Sequence, residues 1–295
     1  MAYNIENRGN YLVVTRDGKI QMRVYPTSEG PPPKRVGQAS SGPDVEYTKS
    51  IAAQAVRYVR SQLPRGAFNN QMKIGASYKY LTNNVAPKWL AARAETMYNS
   101  LAFRRGDQPR DTITQMAARS LSTITVGGGV CSLMAYVTAG YLTTIAKRGT
   151  KIVTVFDGEF NHEYVVLYYG TSPYVVADPW VGTSYTCLWG HCYFPPESIH
   201  ANTLMEIGET LEIPYGVEFT EQEVLTAKRI AGVDGIDNPP AKEKLDPSKQ
   251  SLDQKKKYPW FHMDGAYGHP NNIKPEYEAK YRSVVMPEEW GNAVR

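Results

Sequence analysis

Three residues of this chain have the types and the order for acyl chemistry: Cys131 after Gly127-Gly128-Gly129-Val130, His162 at the head of a strand-like run, and Asp178 in Asp178-Pro179-Trp180. A thiol near pH 7 is only slightly ionised, so a nucleophilic cysteine needs a base and a positive local potential; a helix N-terminus supplies the potential. His162 is the candidate base. Asp178 is the candidate third member, holding the imidazole in the useful tautomer and stabilising the imidazolium. The glycines before Cys131 suit a sharp turn that brings backbone N–H groups to a substrate oxygen, which makes Gly129 and Val130 candidate oxyanion or substrate-lining positions. Trp180 is read either as a wall of the pocket or as ordinary core.

The elements that must position these groups are readable from periodicity. Ser132 to Lys147 places Leu133, Met134, Val137, Tyr141, Leu142 and Ile145 three and four apart, predicting a helix with one buried stripe and Cys131 in its first turn. Lys147-Arg148-Gly149-Thr150 is its stop. Lys151–Phe156, His162–Tyr169 and Tyr174–Ala177 are β-branched and aromatic, which predicts strands. A hairpin about Gly170 to Ser172 sets Asp178 opposite a residue within about two places of His162, near enough for the side chains to meet. A slip of one residue would put them on opposite faces.

These residues have bland readings too: a lone cysteine on an apolar helix is ordinarily core, and an Asp-Pro after a strand is ordinarily a turn. The joint pattern is what carries a resemblance. Gly129-Val130-Cys131-Ser132-Leu133-Met134-Ala135, His162-Glu163-Tyr164-Val165 and Val176-Ala177-Asp178-Pro179 resemble the G-x-C-x-x-x-A, H-x-x-x-V and v-x-D-P blocks of the papain-like and transglutaminase-like cysteine superfamily. Their compact spacing is similar to bacterial effector and toxin members: glutamine deamidases such as the Pasteurella toxin catalytic domain and the Salmonella effector SseI, and proteases of the YopT type. The resemblance implies a thiol nucleophile at Cys131, a base at His162, an orienting acid at Asp178 and a protein substrate in a host or target cell. It covers Gly127 to Trp180. It departs from the pattern in two places: no Gln or Asn precedes Cys131 closely, leaving Gln115 or Gln108 only if the fold returns them, and Tyr164 stands where transglutaminases carry Trp. The second departure puts transamidation in more doubt than hydrolysis, and the first, with the short Cys-to-His spacing, leans toward deamidation over proteolysis. Side-chain deamidation is the expected reaction, with a protease or a non-catalytic binding protein as alternatives. The thiol carries the covalent step, so no cofactor is expected.

Composition sets the frame. The 295 residues carry a net charge of +4 and 42% hydrophobic residues, the profile of a globular chain with one large domain or a core with extensions. No basic stripe interleaves with aromatics, so no nucleic-acid surface is expected. The 21 tyrosines suit either a protein-binding face or ordinary strands. With only three cysteines, a disulfide scaffold is not expected; Cys187 and Cys192 either pair or stay free, and with His191 they lack a fourth metal ligand. No metal is expected. No signal peptide is read at the start and no membrane-spanning stretch anywhere, so action in a target cell would require a specialised export route after folding in the cytoplasm. The oligomeric state is left open.

The fold class expected is α+β, papain-like or transglutaminase-like, helices first and an antiparallel sheet after the nucleophile helix. Residues 1–44 read as a β-hairpin (Tyr11–Thr15 with Lys19–Tyr25) and a Pro/Gly/Ser linker, 45–231 as the catalytic domain, and 232–295 as a polar linker with an aromatic C-terminal segment. Helices are predicted over Val45–Leu63 with Asp44 as cap, Pro87–Phe103, Asp111–Ile124 and Thr220–Ala231 with a Thr220/Glu223 capping box. Glu197–Ile213 is read as mixed.

Overall fold

A computed structural model describes residues 2–26, 41–63, 66–67, 71–74, 77–80, 87–104, 108–157, 162–180, 186–189 and 199–233. Most of the linker (Thr27–Ser40), His191, Cys192 and everything from Asp234 onward lie outside the described residues.

The chain is α+β. Strands β1 (Asn4–Asn7), β2 (Leu12–Arg16) and β3 (Lys19–Pro26) precede helix α1 (Pro43–Gln62). Short pieces follow: β4 (Gly66–Ala67), β5 (Gln71–Ile74), β6 (Ser77–Tyr80), α2 (Pro87–Ala102), β7 (Phe103–Arg104) and β8 (Gln108–Pro109). Next come α3 (Thr112–Val126), β9 (Gly128–Gly129), α4 (Cys131–Ile145), β10 (Lys151–Asp157), β11 (His162–Tyr168), β12 (Val175–Ala177) and β13 (Thr186–Leu188). β14 (Ile199–Ile207) and α5 (Glu221–Ala231) complete the described elements. The main sheet has eight strands in the order β1-β2-β3-β14-β10-β11-β12-β13, every neighbouring pair antiparallel. The N-terminal hairpin is therefore part of the sheet that carries His162, joined to it by β3 on β14.

One core lies between the sheet and α1, α3 and α4: Val165, Leu167, Val175 and Ala177 from the strands meet Ala52, Ala55, Val56, Ala135, Ala139 and Leu142 from the helices. A second core joins α2, α3 and α5.

The expected single stripe on α4 is corrected. Leu133, Tyr141 and Ile145 are only half-buried, while Ala135, Thr138, Ala139, Gly140 and Thr143 are buried along with Met134, Val137 and Leu142. The large residues carry the spacing, but the closest approaches are made by small ones. A Cβ on Gly140 would sit 2.7 Å from the Tyr215 ring, so only glycine lets that tyrosine lie against the helix. Tyr215 is fully buried and donates its hydroxyl to the Tyr136 carbonyl. A helix packed on several sides loses the one-faced pattern by which amphipathic helices are recognised.

Asp44 is not the cap of α1. Gly42 holds the N-cap position, with no side-chain bond, and Asp44 Oδ2 instead accepts from the Thr171 backbone N–H at 2.8 Å and its hydroxyl at 3.0 Å. Asp111, expected as the first residue of α3, is its N-cap, and the Thr220/Glu223 box expected of α5 is present.

Candidate active site

The site is built where three elements begin or end. Gly127 closes α3 in the left-handed conformation (φ 74°), its N–H bonded to the carbonyls of Thr123 and Ile124, and this reverses the chain. Gly128 and Gly129 then pair in parallel with Gly66 and Ala67, and Val130, in extended conformation, is the N-cap of α4. Cys131 is the first residue of that helix. Val130, the N-cap residue, makes no side-chain capping bond to α4.

His162 opens β11. The β11–β12 pairing sets Val165 level with Ala177, so continuing the register by one places Asp178 level with Tyr164, two residues from His162 and on the same side of the sheet. The imidazole Nε2 and Asp178 Oδ2 are 2.7 Å apart, and both residues are almost fully buried, at 2% and 1% exposure. Asp178 uses its other oxygen as well, Oδ1 accepting from the Trp180 backbone N–H at 3.0 Å. The carboxylate is thus fixed by a ring and by its own Asp-Pro-Trp corner. With Nε2 committed to Asp178, the remaining ring nitrogen is Nδ1, which is closed off from solvent, and the Cys131 thiol acts on the imidazole electrostatically.

Burial by itself would strip the proton from His162. The Asp178 charge and hydrogen bond outweigh it, aided by Cys131, and the imidazole is raised from 6.5 to about 10. The imidazolium is the favoured form through neutral pH.

Aromatic rings complete the surroundings. Trp180 tilts against the His162 ring at 4.6 Å between centroids, and Tyr164 stacks on it at 5.4 Å. Trp189 donates its indole N–H to the Tyr164 hydroxyl at 3.0 Å, and Tyr174 meets Trp189 edge-on. Trp180 touches the His162 ring and is buried at 4% exposure, which is compatible with either reading of it. Gly129 and Val130 lie directly before the thiol, where a Cβ on Gly129 would meet Leu133 and Thr123 at 2.9 and 3.0 Å.

The side-chain oxyanion donors considered from sequence are elsewhere. Gln115 donates to the Arg110 carbonyl at 2.7 Å and accepts from the Tyr98 hydroxyl, and Gln108 is exposed on β8.

Two charged neighbours were not singled out from sequence. Arg60, in the last turn of α1, has its guanidinium screened from water, which lowers it from 12.5 to about 10 against the opposing pull of Asp178. Glu163, 8% exposed, accepts from Asn202 Nδ2 at 3.1 Å; burial raises its carboxyl from 4.5 to about 7, opposed by Asn202, His162 and Arg119. Each had a faint signal: Arg60 follows Ala52 and Val56 at four-residue steps, and Glu163 is the one acid in a run of apolar and aromatic residues.

Among the described residues no cluster of His, Cys, Asp or Glu forms a metal site, and no helix is long and apolar enough to cross a membrane. Cys131 is not in a disulfide; the Cys187 and Cys192 side chains lie outside the described ones. No protein-family model matches the chain, and comparison with curated proteins finds no match.

Proposed function

We propose that the protein is a thiol-dependent amide hydrolase, a glutamine deamidase acting on a protein of a host or target cell after export by a specialised route, with the papain-like or transglutaminase-like arrangement its sequence blocks resemble. The observation that carries this reading is the buried His162 Nε2–Asp178 Oδ2 bond of 2.7 Å on an imidazole on which the thiol of Cys131, the first residue of α4, acts electrostatically.

In this reading the thiolate of Cys131 attacks the carboxamide carbon, forming the C–S bond while the carbonyl π pair moves onto oxygen. The backbone N–H groups at the start of α4 receive that oxyanion. His162, protonated because Asp178 holds it so, gives its proton to the departing nitrogen; ammonia leaves and a thioester remains. Water then attacks the thioester, its proton passing to His162, and glutamate and free thiol are released. No metal or cofactor takes part in these steps. A peptide amide in place of the side-chain amide would make the same chemistry proteolysis. One observation favours the non-catalytic alternative: Cys131 is only 9% exposed.

Alkylation by iodoacetamide decides between them, read by mass spectrometry on the peptide bearing Cys131. An activated thiol reacts well below pH 8 and loses that reactivity in His162→Ala, whereas a core thiol stays inert in both. Incubation with candidate substrate proteins then reads the reaction itself: a gain of about one dalton with ammonia release marks deamidation, and cleavage marks the protease. Cys131→Ala abolishes either product while the protein stays folded.

A further inference from the structure

We propose that Asn202 and Glu163 are positioning residues for His162: a bulge in β14 sends the Asn202 amide across β10 to Glu163, and that tie fixes the end of β11 from which the imidazole projects. The proposal rests on the thiol hydrolase reading above in one respect, that His162 is the base.

Three strands meet at this end of the sheet. β10 lies between β14 and β11, and its register sets Ile199, Asp157 and His162 in one row, then His200, Phe156 and Glu163, then Ala201, Val155 and Tyr164. The following row is Thr203, Thr154 and Val165, so Asn202 is an extra residue between Ala201 and Thr203, with no place opposite β10. That is a β-bulge.

Successive side chains of a strand take opposite faces of its sheet. Val165 and Leu167 belong to the core shared with α4, so Glu163 takes that face, while His162 and Tyr164 take the other. In an unbroken ladder residue 202 would stand level with Val155 and Tyr164, on the face away from Glu163. The bulge lifts that constraint, and Asn202 Nδ2 donates to Glu163 Oε1 at 3.1 Å. The bond spans two strand spacings, about 10 Å from β14 to β11, and so ties the outer two strands over the middle one.

Both partners are unfavourable on their own. A bulge gives up ladder pairing at one residue, and an acid at 8% exposure loses most of its hydration. The two penalties fall on a single contact, one residue from the imidazole, and bulges beside active sites commonly re-aim a side chain. A neighbour on the same face shows that polarity alone does not make such a tie. Thr154 is fully buried opposite Thr203, and its hydroxyl has no hydrogen-bond partner among the described residues. His162 stands in the outermost described row, and the ends of elements open more readily than their middles. A tie one row inward resists that opening and keeps Nε2 at its 2.7 Å from Asp178 Oδ2.

The experiment is proton NMR at pH 6 of the imidazole N–H that joins His162 to Asp178, a downfield signal identified by its loss in His162→Ala. Its position reads the bond within the folded protein, so a loss of stability alone does not move it. Burial raises Glu163 to about 7, so at pH 6 its carboxyl is mainly neutral and Asn202 donates to a carbonyl oxygen that a glutamine supplies equally. The signal is expected to move upfield or be lost to exchange in Asn202→Ala and Glu163→Met, and to keep its wild-type position in Glu163→Gln and in Thr154→Val. Should Glu163→Met not fold, Asn202→Ala against Glu163→Gln carries the test. An unmoved signal in folded Asn202→Ala, even with a lowered melting temperature, overturns the proposal, because the pair is then only structural. Loss of the signal in Glu163→Gln overturns it as well, since the acid rather than the tie would be acting. A signal that moves as expected beside a Cys131 inert to iodoacetamide overturns the hydrolase reading and leaves the tie standing; a wild type with no such signal overturns both.

Discussion

The starts of α3 and α5 are closed, and the start of α4 is open. Asp111 accepts from the Thr114 N–H at 2.9 Å; Thr220 and Glu223 exchange bonds of 3.2 and 2.8 Å; at Val130 no side chain caps anything. A side-chain cap contributes about 1 kcal/mol, so α4 forgoes that much at the place where the thiol sits. It can do so because Met134, Ala135, Val137, Ala139 and Leu142 are buried, and tertiary packing, rather than end chemistry, holds most protein helices. The carboxyls follow the same division. Burial pushes Glu223 up, but hydrogen bonds from Arg110 and Thr220 overcome it and its carboxyl is lowered, while Glu163, next to His162 on β11, is raised to about 7.

The largest effect that would break this contrast is at Asp178. Asp178→Ala leaves the buried imidazole and the Trp180 N–H without their acceptor, and should cost about 3 kcal/mol or more in denaturant unfolding at pH 7 and remove the low-pH reactivity of Cys131. A cost under about 1 kcal/mol would mean that the carboxylate is not balancing a buried charge.

Next in size is a pH test on the two glutamates. Glu163 binds its proton more tightly folded than unfolded, so the stability it contributes is present below pH 4.5 and is lost as the pH rises through about 7. Glu163→Gln should therefore exceed wild type by roughly 2–3 kcal/mol at pH 8.5, the gap closing toward pH 4.5. Glu223, whose carboxyl is lowered, has the opposite sign: Glu223→Gln should be the less stable protein at neutral pH and converge with wild type as the pH falls below 4.5. Melting curves across this range check both, and parallel curves would remove the distinction.

The smallest effects come from exchanging open for closed. Thr220→Ala should destabilise by about 1 kcal/mol. Val130→Ser, which offers α4 a cap, should stabilise by about half that and slow alkylation of Cys131, because the first-turn amides gain a partner. If neither melting nor alkylation responds, the open start carries no free energy.

What was legible in the sequence follows from locality. Helix α4 and the turn at Gly170–Ser172 depend on residues near one another in the chain, whereas the register that faces Asp178 toward His162 was left open by one residue and is given by the β11–β12 pairing. β14 was missed although it alternates cleanly, with Ala201, Thr203, Met205 and Ile207 buried and Asn202, Leu204 and Glu206 half-buried. Its residue types hid it, since Asn and Glu weaken a strand pattern until their partners are known: Glu163 for Asn202, Lys151 and Arg23 for Glu206. β1, with the sequence NIEN, was missed for the same reason. Cys131, His162 and Asp178 stood out because each marks the edge of an element. Arg60 and Glu163 did not, because their significance lies in charges brought to them from other elements.

The pairing of β3 with β14 sets an order of events for folding. The strands carrying His162 and Asp178, and the helix carrying Cys131, belong to the contiguous stretch from α3 to β13, where loops are short and closing them costs little chain entropy. The β1–β3 hairpin must wait for β14, a partner roughly 180 residues further along by the register of Tyr25 with Leu204, so its docking is a high-contact-order step. The earliest-made strands of this sheet are then the last to find their place in it, and the thiol, imidazole and acid can be in position before the sheet that supports them is finished.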